Sequence, residues 1–301
     1  MRFGYSSNLI ATTTLLLSSL GLLAGCGDDT GATADKGDAQ VFVEPEETIP
    51  GGLAAGTGEE DVQDGWAVTY DRFLVSIGNF RAARSDATET LAEPETYVLD
   101  LLHAPAGGYV IKTFEDVSAV RWDRFGFDLP NATASAKTLA PTTAEDAKLL
   151  ADGGWSVYFE GKIEKEGVVK TFKWGLPAGT SFDDCANEDG TPGFAVPSGG
   201  SAQVKPTIHG DHWFFNNVTA GAEVTKRYAQ YIADADADAD GETTIDELKA
   251  LKAADAFPAA QYNLAGGLTP IETAYDYVLA QARTLGDFQG DGECPTRKIL
   301  P

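Results

Sequence analysis

Residues 156–174 read SVYFEGKIEKEGVVKTFKW, and their alternation decides the fold. Val157, Phe159 and Ile163 point to one side, and Ser156, Tyr158, Glu160, Lys162 and Glu164 to the other. A period of two is the signature of a strand with one face against a core. Glu166-Gly167 then supplies a two-residue turn, and Val168, Phe172 and Trp174 lie on a returning strand.

The same short apolar rhythm runs outward on both sides. It covers Val41 to Val43, Trp66 to Tyr70, then Phe73, Val75 and Ile77 towards Phe80. It continues through Tyr97 to Leu102, Tyr109 to Ile111, Val120 to Leu129 and Pro206 to Phe215. Many short strands with Gly and Pro turns predict a mainly β body over residues 40–218, built as a β-sandwich. One helix interrupts it over 144–151, capped by Thr143 with Asp146 at the capping-box position and stopped by Gly153-Gly154. Beyond residue 218 the pattern turns helical, with helices expected over 222–233, 245–254 and 271–285. The expected fold class is therefore α+β, with a helical segment over 219–301. The β body is also similar in pattern to the prealbumin-like sandwich domains of bacterial lipoproteins, through its Tyr-Val-Leu-Asp-Leu-Leu strand at 97–102.

The chain has 301 residues, 43% of them hydrophobic, which supports a sizeable core and excludes wholesale disorder. Twenty-two Lys and Arg stand against 46 Asp and Glu, a net charge of -24. That balance excludes phosphate-directed nucleic-acid binding. Residues 1–25 read as a secretory signal, with Arg2 ahead of an apolar run too short and too rich in Ser and Thr to span a bilayer. The run ends in Leu23-Ala24-Gly25-Cys26, which resembles the lipobox of bacterial lipoproteins. The resemblance implies acylation of Cys26, cleavage before it, and a protein held at the cell envelope by its N-terminal lipid. Gly27 in second place favours the outer membrane. Residues 26–39 then read as the lipidated Cys and a small, polar tether. Two Cys remain, Cys185 and Cys294, and in an exported protein they are expected to pair.

Residues 234–247 read DADADADGETTIDE. Calcium takes six to eight hard oxygens, and alternate carboxylates in a tightly wound loop supply them. Counted from Asp236, acids fall at Asp238 and Asp240, the Gly at Gly241 and a closing Glu at Glu247. A register starting at Asp234 loses both the Gly and the Glu. The stretch resembles the EF-hand calcium loop. The resemblance implies oxygens from Asp236, Asp238 and Asp240, the carbonyl of Glu242, Thr244 directly or through water, and bidentate Glu247. Thr243 departs from it, standing where that family has an aliphatic residue that pairs with a second loop. A second stretch, 287–293, repeats only the opening and reaches Lys298 at its twelfth place. It reads as a tight turn presenting Cys294 to Cys185.

Residues 208–215 gather two of the three His. On a strand His209 and Asp211 share a face and His212 takes the other, so they meet only if the chain bends at Gly210. With His103 nearby, imidazole and carboxylate would suit copper, zinc or iron. The five Trp are expected in the core. No nucleophile elbow, zinc-protease helix or nucleotide fingerprint occurs. The expected function is a lipid-anchored, monomeric, calcium-binding envelope protein with a binding role towards a protein or small ligand. A transition-metal-handling lipoprotein ranks second and an extracellular hydrolase third.

Overall fold

The 157–174 hairpin forms as its alternation requires. In the computed structural model, which describes residues 35–219, 225–265 and 269–299, it is the pair Val157–Lys165 and Val168–Leu176. Its register runs from Val157 opposite Leu176 to Lys165 opposite Val168. Glu166 (φ 51°) and Gly167 (φ 81°) make the left-handed two-residue turn whose twist matches the strands. Residues 1–34, with the signal and Cys26, lie outside the described residues.

In chain order the first strands are β1 (Lys36–Pro45), β2 (Ala67–Ala83), β3 (Thr90–Asp100), β4 (Tyr109–Ser118), β5 (Arg121–Trp122), β6 (Arg124–Leu129) and β7 (Lys137–Thr138). A short helix α1 (Thr48–Gly51) follows β1, and α2 (Ala144–Gly153) precedes the hairpin strands, β8 and β9. Then come β10 (Thr180–Phe182), β11 (Phe194–Ala195), β12 (Ser201–Val204) and β13 (Pro206–Ile208). The C-terminal part holds α3 (Gln230–Ala235), β14 (Glu242–Thr243), α4 (Ile245–Ala250), α5 (Ala253–Ala256), α6 (Ala274–Ala282), β15 (Gly286–Phe288) and β16 (Thr296–Lys298).

The protein is mainly β. A nine-stranded sheet runs β14-β9-β8-β2-β6-β10-β16, with β3 beside β2 and β7 beside β3. A five-stranded sheet runs β12-β1-β13-β15, with β4 also on β1. The 17-residue strand β2 is the spine, pairing with β3, β6 and β8. Aromatic rings build the core against it: Phe73 of β2 stacks on Trp213 at 5.7 Å, and Phe159 of β8 stacks on Trp213 at 4.1 Å. Trp66, Trp122, Trp174 and Trp213 are all buried, which leaves them unavailable for stacking on a polymer substrate.

Gly161 interrupts the hairpin's alternation for a steric reason. A Cβ there would lie 2.3 Å from the Thr69 carbonyl oxygen and 2.8 Å from the Phe172 ring. Tyr158, expected on the solvent face, is on that side of the sheet but buried, because α2 covers it. With Leu74, Val98, Ala132 and Leu150 it forms a second small core. Helix α2 is capped as expected. Thr143 and Asp146 complete a reciprocal capping box, and Gly154 (φ 63°) ends the helix. Asp146 also meets the Arg72 guanidinium on β2, so one carboxylate starts the helix and pins it to the sheet. Burial opposes its ionisation, but the Thr143 N–H and hydroxyl together with Arg72 outweigh it and lower its pKa. A depressed folded pKa contributes stability above the unfolded value and loses it as pH falls through the folded one. Asp146→Ala is expected to cost about 1–2 kcal/mol at pH 7 in denaturant unfolding. The difference from wild type should shrink in acid.

The tail departs from its expected all-helical character. Strand β14 lies parallel to β9, β15 antiparallel to β13, and β16 antiparallel to β10. Contacts gather residues Asp35–Pro301 into one compact unit, so 219–301 shares the sheets of 40–218. The helix expected over 222–233 starts only at Gln230: residues 225–229 are not helical, Arg227 bridging to Val62 and Phe215, and residues 220–224 lie outside the described set. The helix expected over 245–254 breaks in two because Leu251 and Lys252 are extended, Lys252 bridging to Thr273. The one over 271–285 starts at its Thr273–Asp276 capping box and is α6. Strand β1 begins at Lys36, inside the stretch expected as tether. Gly37 makes this fit, since a Cβ there would lie 2.3 Å from the Pro197 carbonyl oxygen. Cys185 and Cys294 form a disulfide, as expected, tying mid-chain to tail.

Candidate cation sites

Two clusters of ligating side chains occur among the described residues. The first is the acidic loop. Helix α3 ends at Ala235 with Asp236 as its cap, and Ala239 (φ 60°) and Gly241 (φ 95°) turn the chain sharply. The loop closes on itself through its carboxylates. Asp236 accepts N–H bonds from Asp240 and Gly241, each at 3.1 Å, and Asp240 accepts one from Glu242 at 2.8 Å. Glu247 accepts from the Ala237 N–H at 3.0 Å and from the Thr244 N–H at 2.8 Å, the second as part of a capping box that starts α4.

Oxygens of Asp236, Asp238 and Glu247 lie within 4.8 Å of one another. Asp240 does not join that group, Glu242 is exposed, and the Thr244 hydroxyl is engaged with Glu247 at 2.9 Å. Of the four expected carboxylate ligands, three are thus gathered. A cation already stands there: the Lys170 ammonium, from β9, contacts Asp236. Lys170 holds the Asp236 carboxyl below the usual range, and the Thr244 N–H does the same for Glu247. Sequence reasoning missed Lys170 because it stands 66 residues from its partner.

Strand β14 fixes where the loop sits. Thr243 is fully buried, its hydroxyl donating to the Ile232 carbonyl at 2.7 Å. Its own carbonyl accepts from the Trp174 indole N–H at 2.7 Å. Glu242 and Thr243 pair with Thr171 and Phe172, so the loop pairs with the edge of the large sheet.

The second cluster corrects the strand reading of 208–215. Strand β13 stops at Ile208, the chain bends at Gly210, and His212–Phe214 is a 3-10 turn. Gly210 suits the bend because a Cβ there would lie 2.7 Å from Ile49, and its carbonyl accepts from the Tyr70 hydroxyl. The bend brings ligand atoms of His209, Asp211 and His212 within 4.8 Å of one another. His103 does not join them. It is exposed, with Nδ1 2.8 Å from Asp100.

The cluster lines a cavity of about 680 Å³ with eight carboxylates on its wall. Arg227 answers two of them, donating to Asp211 through Nε at 2.7 Å and to Glu60 through Nη2 at 2.6 Å. Asp287 and Asp291 enter from the 287–293 turn, which does present Cys294 to Cys185. Burial raises the Asp287 carboxyl to about 7 despite His209 nearby. Burial opposes charge on His209, but Asp287 and Asp211 outweigh it and raise its pKa. Burial, with His209 and Arg227 adding to it, lowers His212 well below its ordinary value. No family model matches the chain, and neither a curated protein nor a solved structure matches it.

Proposed function

We propose that this chain is a lipid-anchored protein of the bacterial envelope in which residues 236–247 hold one structural calcium ion. The observation that carries this reading is the convergence of Asp236, Asp238 and Glu247 oxygens in a loop pinned to the sheet through Thr243. Asp240 and the Glu242 carbonyl complete the oxygen set on the ion, and Thr244 acts through a water because its hydroxyl caps α4. On this reading the architecture is a β-sandwich with an EF-hand-like helix-loop-helix sewn to one edge. The ion fastens α3 and α4 to β9 and has no sensor role. The Cys185–Cys294 disulfide fits an oxidising compartment, and the lipobox-like run ending at Cys26 supplies the anchor, with the outer membrane as destination. The protein works as a monomeric binding module in the envelope, with a protein or small-ligand partner.

Thermal unfolding of residues 26–301 in EDTA and then in calcium tests the calcium reading. Calcium at a hundred times its Kd adds about 2.7 kcal/mol to the folded state, a rise of roughly 5 °C for a chain of this size. Asp238→Ala should abolish the rise while leaving the calcium-free Tm nearly unchanged, since Asp238 is exposed and accepts only the Asp240 N–H. An equal rise in both proteins would refute the loop as the site. Lys170 gives a sharper sign. Lys170→Met removes the ammonium that calcium must displace or tolerate at Asp236. It should tighten calcium binding roughly three- to tenfold while lowering the calcium-free Tm. Weaker calcium binding in Lys170→Met would contradict the placement of the ion.

A further inference from the structure

The His209 cavity has chemistry that the calcium loop does not use. Asp211 is almost wholly buried, and Arg227 grips it by one oxygen only. The other oxygen, Oδ1, has no hydrogen-bond partner and lies 3.9 Å from Nδ1 of His209. Nε2 of His209 is likewise buried without a hydrogen bond, although Asp287 stands 3.1 Å from it. Buried polar atoms are rarely left unsatisfied, and each one asks for a ligand that the protein alone does not provide. Both of these belong to residues lining the same cavity.

His212 is set in one tautomer. The Thr284 hydroxyl gives its hydrogen to the Gln281 carbonyl at 2.9 Å, so it accepts from Nδ1 of His212 at 2.8 Å. Nε2 of His212 is therefore left with a bare lone pair. A ring held through one nitrogen with the other free is the usual outer-shell arrangement of a metal-binding imidazole. Arg227 does for Asp211 what Thr284 does for His212, fixing one atom so that the other faces inward.

We propose that a ring nitrogen of His209, Oδ1 of Asp211 and Nε2 of His212 bind one divalent transition-metal ion, of the zinc or copper class, at the wall of this cavity. Two imidazoles and one carboxylate select such ions over calcium and magnesium, which take oxygen. Three protein ligands opening on a cavity leave a coordination place free, unlike the closed four-ligand set of a structural zinc. The bound ion is thus exchangeable or open to a further small ligand. The surplus carboxylates of the wall, Glu46, Asp291 and Glu293 among them, draw cations inward. This site is independent of the calcium loop.

The test is calorimetric titration of Zn2+ into protein stripped of transition metals, in excess calcium, with Co2+ as a visible-absorbing stand-in. One Zn2+ per chain is expected, with affinity reduced about a hundredfold or more in His209→Gln and in His212→Gln and unchanged in Asp238→Ala. Bound Co2+ should show the intense visible bands of a four- or five-coordinate site with nitrogen ligands. This readout needs only the wild-type protein and so survives failure of a variant to fold. Absence of stoichiometric Zn2+ binding would overturn the proposal. So would unchanged affinity in both His variants, loss of Zn2+ on Asp238→Ala, or the weak spectrum of Co2+ in six oxygens.

Discussion

Replacing Cys185 and Cys294 together by Ser is expected to lower stability by about 5 kcal/mol. The size follows from the loop the bond closes. The two Cys are 109 positions apart, and in the chain-entropy account the cross-link restricts the unfolded state more as that loop lengthens. The bond also holds the 287–293 turn, which carries Asp287 and Asp291 to the His209 cavity. Urea unfolding of the double variant measures the loss, and Zn2+ affinity in the same variant should fall with it. A loss below about 1 kcal/mol would mean that the reduced, unfolded chain retains structure across the loop, contrary to the entropic account.

Trp174→Ala should cost about 3–5 kcal/mol, as expected for deleting a fully buried indole. Trp174 packs against Phe159 and Phe172, and its N–H reaches the Thr243 carbonyl at 2.7 Å. The substitution therefore opens the core and releases the acidic loop together. Trp174→Phe separates the two effects. It keeps much of the packing but leaves a buried carbonyl without its donor, a loss of about 1–3 kcal/mol. Both variants should weaken calcium binding, because the loop's placement depends on that bond. Unchanged calcium affinity in both would show that the loop folds without the sheet.

Legibility in the sequence followed the range of the interactions. The β8–β9 hairpin and helix α2 could be read because their determinants are local: alternation and a turn in one case, a Thr-x-x-Asp box and a Gly stop in the other. The acidic loop could be read because its carboxylates all lie within twelve residues. Lys170 could not, because it reaches Asp236 across the sheet. Strands β14 and β16 were invisible for another reason. Glu242–Thr243 is too short to show a period, and Thr296–Lys298 is largely exposed and presents no apolar face.

The strand reading of 208–215 fails at Gly210, and the bend at that residue is what brings His209 and His212 together. The sequence allows the two to meet only through such a bend. What no local pattern carried was the rest of the wall. Asp287 comes from β15, and Arg227 from the connection before α3. His103 was drawn towards the cluster by residue type alone, and Asp100 three residues away proves to be its partner.

The most direct test of the central claim is calcium calorimetry on wild type and Asp240→Ala. One calcium ion per wild-type chain is expected, with binding lost in the variant. Heat that is absent in wild type, or identical in the variant, would show that residues 236–247 form only a solvated acidic turn neutralised by Lys170.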